Sequence, residues 1–136
     1  MAMIFTYGSL MCADIMTWVA GEPLLACAAT LKGYRRYLVH GQEYPGIVKE
    51  DGASVEGLIY EDVSVEALRR LDAFEGSWYR RFPVEVSTDQ GLRAAEAYVI
   101  RPRYRSVLSD KDWDYEIFLQ RGKAKFMKEY VGYIKI

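Results

Sequence analysis

The sequence predicts an α+β fold: a mixed, mostly antiparallel sheet of about six strands with flanking helices. Strand-like runs follow one another directly, most clearly Arg81 to Val86 and Leu92 to Ile100, so the regular strand-helix alternation of a parallel sheet is absent. Helical periodicity is confined to a few separate stretches. A sheet of this size must cover its edges or close on itself, and a small barrel is one solution.

Each element has its own signal. Met3 to Tyr7 is a short apolar run stopped by Gly8-Ser9, the pattern of a buried strand ending in a turn. Met11 to Val19 fits a short helix that Gly21 and Pro23 terminate. From Ala26 to Val39, β-branched, aromatic and small residues broken by Gly33 predict one bent strand or two short ones. Tyr44-Pro45-Gly46 reads as a turn, and Val55 to Tyr60 as the next strand. Ser64 caps a helix with Val63 and Leu68 at its staple positions; Leu68, Leu71 and Phe74 fall on helical spacing, and Gly76 ends it. Arg81 to Val86 alternates, with Phe82, Val84 and Val86 on one face, and pairs with Leu92 to Ile100 across Thr88-Asp89-Gln90-Gly91. A last helix is expected from Lys111 to Tyr130, opened by Ser109 or Asp110, with an apolar stripe of Trp113, Ile117, Ala124, Met127 and Val131. Gly122 inside it costs ~1 kcal/mol relative to Ala, which predicts a kink or break.

The 136 residues fit one domain, 1–136, and a half-hydrophobic composition excludes a disordered chain. With 18 Lys plus Arg against 19 Asp plus Glu, the near-neutral chain has no long-range attraction for nucleic acid or an anionic membrane. Arg101, Arg103 and Arg105 around Pro102 accordingly read as a solvated segment, not an RNA contact. The start, MAMIFTYGSL, shows neither a signal peptide nor an anchor, so a cytoplasmic location is the default expectation. Cys12 and Cys27 lack zinc spacing and read as reduced thiols. The aromatic content admits a homodimer.

The lone histidine, His40, excludes a cage of several histidines, and no G-x-G-x-x-G or Walker loop is present, so neither a metal nor a cofactor is expected. Ser9 as a nucleophile would lack the G-x-S-x-G setting and would depend on His40 as base. Two features carry chemistry better. At Tyr7-Gly8-Ser9-Leu10, a glycine turn between strand and helix can present successive amides to a carboxylate or oxyanion; an ordinary turn with Ser as N-cap has the same pattern. In Leu71 to Arg81, Glu75 ends a helix between Phe74, Trp78 and Tyr79. The helix dipole and apolar neighbours would raise its pKa towards acid/base work, whereas pairing with Arg80 or Arg81 would lower it.

The YGSL turn after the first strand, Tyr44-Pro45-Gly46, the LDAFEG helix end followed by Tyr79-x-Arg81, and the late Trp113 helix occur in one order. Together they resemble the γ-glutamylcyclotransferase-like family, in particular its γ-glutamylamine cyclotransferase and plant avirulence-induced branch. The resemblance spans nearly the whole chain and implies a small mixed-sheet barrel with one ligand cavity. It also implies a cofactor-independent reaction in which the substrate's α-amine attacks its own γ-glutamyl carbonyl, giving 5-oxoproline and a free amine. By the same resemblance Glu75 is the acid/base. Tyr7, Gly8, Ser9 and Leu10 hold the γ-glutamyl group, Pro45, Tyr79 and Tyr98 line the cavity, and Arg81 supports it. A binding module of the same fold, or another γ-glutamyl acyl chemistry, are the alternatives.

Overall fold

The structure, a computed structural model, describes residues 2–131. Five strands, β1 (Ala2–Thr6), β2 (Ala26–Leu38), β3 (Pro45–Val63), β4 (Tyr79–Thr88) and β5 (Gly91–Ile100), close into a barrel in the order β1-β3-β2-β4-β5. Most pairs are antiparallel, and β2 meets β4 only at Thr30 and Ser87. The barrel closes where β1 runs parallel to β5, with Ile4 opposite Glu96 and Phe5 opposite Ala97. That pair makes the sheet mixed.

Five strands replace the expected six because Gly33 does not split β2. It sits at φ +84° in a register shift between Lys32 and Tyr34, so the strand bends through a bulge and continues. The strand expected at Val55 begins ten residues earlier, at Pro45. Tyr44-Pro45-Gly46 is therefore not a turn. The reversal runs through His40 and Gly41, and Pro45 pairs with Leu38 as the first residue of β3, where a missing amide is tolerated.

Two helices pack beside the barrel. In α1 (Ala13–Ala20), Ile15, Met16, Val19 and Ala20 are buried, and Gly21 closes the helix at φ +85°. In α2 (Val65–Glu75), Ser64 Oγ accepts from the Ala67 amide at 3.1 Å, as its position predicts, and Ala67 and Leu71 face inward. The last helix starts later than expected. Asp114, not Ser109 or Asp110, caps it by accepting from the Ile117 amide at 3.0 Å, while Ser109 Oγ donates to the Leu38 carbonyl. From Tyr115–Ile117 the chain widens into π-helical turns over Phe118–Gly122 and again over Met127–Val131, with Lys123–Phe126 between them.

This widening moves the buried stripe onto Phe118, Gly122 and Phe126, and leaves Ile117 and Ala124 exposed. Trp113 is buried but precedes the helix, and the Val131 side chain lies outside the described residues. No helix among the described residues is long and apolar enough to cross a membrane. Cys12 and Cys27 are free.

The core has two parts. Phe5, Leu31, Ile47, Val55, Ile59 and Val86 belong to a cluster drawn from the strands, which fills the barrel. Ile4, Ile15, Met16, Tyr60, Val63 and Leu71 belong to a second, which joins the outer face to the helices. Neighbours such as Ile4 and Phe5 enter different clusters because strand side chains alternate.

Gly57 lets β1 lie close to β3, since a Cβ there would collide with the Thr6 carbonyl and the Phe5 ring. Gly57→Ala should cost about 1–3 kcal/mol by overpacking this contact, read as a lower urea midpoint.

Candidate active site

A cavity of about 260 Å³ lies where the two core clusters meet. Its wall takes residues from the end of β1, the start of β3, the α2–β4 connection, β5 and the last helix. Tyr7, Gly8, Ser9, Leu10, Pro45, Glu75, Tyr79 and Tyr98 all border it. Arg81 does not. Tyr44, Phe74, Trp78 and Phe126 complete much of the remaining wall.

The Tyr7–Leu10 segment leaves β1 and tightens into a single 3₁₀ turn, Ser9–Met11, closed by the Met11 amide on the Gly8 carbonyl at 2.9 Å. The Ser9 and Leu10 amides stand at the start of that turn, where no acceptor exists within it. Ser9 is buried, but its side chain caps neither this turn nor α1, whose N-cap is Cys12. Gly8 is required by crowding. A Cβ would come within 2.9 Å of Pro45 Cγ and 2.8 Å of Pro45 Cδ, so the turn and the start of β3 touch directly.

Three buried tyrosines fix the wall by donating to backbone carbonyls. Tyr7 Oη reaches Tyr98 O at 2.6 Å, Tyr79 Oη reaches Pro45 O at 2.9 Å, and Tyr60 Oη reaches Leu10 O at 2.8 Å. Burial pushes the Tyr7 phenol well above its usual value and the Tyr60 phenol up to about 12, so both stay neutral. Tyr98 Oη donates to Asp72 Oδ1 at 2.6 Å. Its phenol is also raised, first by burial and then by Asp72.

Glu75 is the last residue of α2, at the negative end of the helix dipole. Its side chain is half-buried and borders the cavity. Burial, and then the charge of Asp72 one turn earlier, push its carboxyl up to about 8. Neither neighbouring arginine relieves this. Arg81 Nε lies 3.3 Å from Asp72 Oδ1 and its Nη1 donates to Glu96, while Arg80 lies over the Phe82 ring. Arg81 thus anchors Asp72, and Asp72 anchors Tyr98, behind the carboxyl.

His40 is exposed in the β2–β3 reversal and does not border the cavity, so it is not placed as a base for Ser9. Arg103 and Arg105 lie over Tyr104 and Tyr37 in a surface 3₁₀ segment, Pro102–Val107. Among the described residues, no group of three His, Cys, Asp or Glu side chains is arranged to hold a metal ion.

Sequence reasoning missed a support behind the wall. Arg36 Nη1 donates to the Tyr7 carbonyl at 2.8 Å, and its guanidinium lies 5.1 Å from the Trp113 ring centroid. Trp113 Nε1 donates to the Glu43 carbonyl, just before Tyr44-Pro45. Arg36 and Trp113 together brace both segments that meet at Gly8 and Pro45. Nothing in local spacing marks that pair. Asp72 was more accessible, since residues three apart on a helix share a face.

Related proteins share this fold. Residues 4–115 match the γ-glutamyl cyclotransferase, AIG2-like family, and the chain belongs to it. AIG2-like protein A of Arabidopsis thaliana is 27% identical over 131 residues, covering 93% of this chain and 78% of the relative. AIG2-like protein D of the same plant is 29% identical over 133 residues, covering 92% and 84%. An Arabidopsis thaliana protein solved in solution superposes with a TM-score of 0.73 at 27% identity, over 98% of this chain and 82% of its own. A structure described as a γ-glutamyl cyclotransferase shares the fold, with a TM-score of 0.62 at 17% identity, covering 74% of this chain and 66% of its own.

Because Glu75 holds its proton in the fold at pH values where the unfolded chain releases it, stability should fall as pH rises from about 5 to 8. Glu75→Gln should remove that fall and gain about 2–3 kcal/mol at pH 8, after discounting for partial solvent access, in urea unfolding repeated across pH.

Proposed function

We propose that the cavity cyclises the γ-glutamyl group of a small substrate to 5-oxoproline and releases an amine, with Glu75 as general acid/base. The observation that carries this reading is a carboxyl at the cavity wall raised to about 8, beside a glycine turn with amides at its start. An α-ammonium titrates at about 8, so proton transfer to such a carboxylate is nearly balanced, whereas an ordinary glutamate would make it uphill by about 5 kcal/mol.

The steps balance without a co-reactant. Glu75 in its anionic form takes a proton from the α-ammonium, and the freed amine attacks the γ-carbonyl carbon of the same molecule. A five-membered ring closes, and negative charge gathers on the carbonyl oxygen. The ring carbon then expels the leaving nitrogen, which takes the proton from Glu75. The ring nitrogen, left with one proton too many, gives it to the regenerated carboxylate, which passes it to the released amine. The amine thus departs as an ammonium. Because the nucleophile is intramolecular, the protein's task is to fold the substrate back, hold the oxyanion and shuttle protons from the attacking nitrogen to the leaving one. In this reading the Gly8, Ser9 and Leu10 amides hold the γ-glutamyl group, and Tyr7, Pro45, Tyr79 and Tyr98 keep the cavity in shape. Arg81 acts one layer back, through Asp72.

The test is mass-spectrometric detection of 5-oxoproline from γ-glutamyl amino acids, γ-glutamyl amines and γ-glutamyl-ε-lysine. Wild type should form product with kcat/KM rising as Glu75 ionises, up to about pH 8, and Glu75→Gln should lose about 10²–10⁴-fold. Near-normal turnover by Glu75→Gln would falsify the role of the carboxyl. Affinity for γ-glutamyl ligands without product would instead make the protein a binding module.

A further inference from the structure

The wall beyond the glycine turn and Glu75 is built mainly from rings, with Thr6 and Ser77 adding uncharged hydroxyls. Phe74 directly precedes Glu75 in the last turn of α2, and Trp78 follows three residues later in the α2–β4 connection, so the two flank the carboxyl along the chain. Facing them, Phe126 packs edge-on to Phe74, with centroids 6.1 Å apart at 68°, and to Tyr44, 6.3 Å apart at 76°. The nearest cations are engaged elsewhere. Arg36 grips the Tyr7 carbonyl from outside the cavity, and Arg81 lies between Asp72 and Glu96. Among the described residues that line the cavity, Glu75 is the one with a formal charge.

We infer that the amine released is small and apolar, an alkyl or aryl amine, and that Phe74 and Trp78 select it; the inference rests on the cyclotransferase reading above. Two physical constraints point this way. The cavity's volume, about 260 Å³, lies just below the ~300–1,000 Å³ typical of pockets for drug-sized ligands, so it suits a γ-glutamyl group joined to a compact amine. Its chemistry follows from the wall. An amino-acid leaving group brings a carboxylate, and a lysine side chain linked through its ε-nitrogen brings a carboxylate and an ammonium. Rings offer a carboxylate no partner, Glu75 repels it, and stripping water from an unpaired charge is unfavourable. An alkyl or aryl group gains by the same burial.

The selectivity is tested by comparing kcat/KM for 5-oxoproline release from γ-glutamyl-benzylamide, γ-glutamylalanine and γ-glutamyl-ε-lysine. Benzylamide should lead by about a hundredfold. Trp78→Ala and Phe74→Ala, both at half-buried positions and checked for folding by circular dichroism, should each shrink that lead about tenfold, benzylamide turnover falling further than that of the other two substrates. Equal or better turnover of either charged substrate by wild type would overturn the inference. Calorimetric titration of Glu75→Gln with the same three compounds separates it from the reaction itself. If no compound is turned over yet benzylamide binds tightest, the cyclotransferase reading fails and the apolar selectivity stands as a property of the cavity. With no turnover and no preference in binding, both fail.

Discussion

The parallel contact between β1 and β5 is the constraint on which the rest of the molecule depends. β1 is five residues long, yet it pairs with β3 on one side and β5 on the other. Without it the sheet would be open, with two exposed edges inviting association. It also delivers the chemistry. Tyr7 and Gly8 directly follow β1, and Tyr98 follows the β5 residues that pair with it, so closing the barrel brings both to one cavity. The Tyr7 hydroxyl on the Tyr98 carbonyl then ties the two strand ends together.

The carboxyl at the end of α2 shows how the fold accepts a local cost. Glu75 gathers three unfavourable influences: burial, the helix dipole, and Asp72 one turn away. Arg81 could have relieved the site, but its position on β4 directs it to Asp72 and Glu96. The positive charge pairs with the second carboxylate and leaves the first without a cationic partner, its carboxyl raised. Strain of this kind persists because the surrounding elements are held by contacts that do not involve Glu75.

Local patterns made much of this legible. Ser64, the β4–β5 alternation and the helix end at Gly76 each depend on neighbouring residues, and each element forms as its signals suggest. Tyr7–Leu10 and Glu75–Tyr79, which border the candidate site, stood out in the sequence for the same reason. The rest depends on contacts between distant segments. Pro45-Gly46 has the composition of a turn, but its pairing with Leu38 and Tyr37 makes it a strand. The final helix has an apparent period set by Ile117 and Ala124, but π-helical widening buries Phe118, Gly122 and Phe126 instead. Arg36 and Trp113, far apart in the chain, converge on the two segments bordering the cavity, and no local rule brings them together.

The tyrosine hydroxyls that anchor the wall have a consequence for how this cavity can change over evolutionary time. Tyr7, Tyr60 and Tyr79 hold carbonyls of β5, of the turn after β1 and of β3, so they fix backbone and leave little freedom to vary. Phe74 and Trp78 pin no backbone in this way and sit where α2 ends and passes into its connection to β4, where side chains can be exchanged at low structural cost. A descendant of this protein could therefore acquire a new ligand preference by drift in that connection alone, keeping its barrel, its pinned backbone and its proton-bearing carboxyl intact.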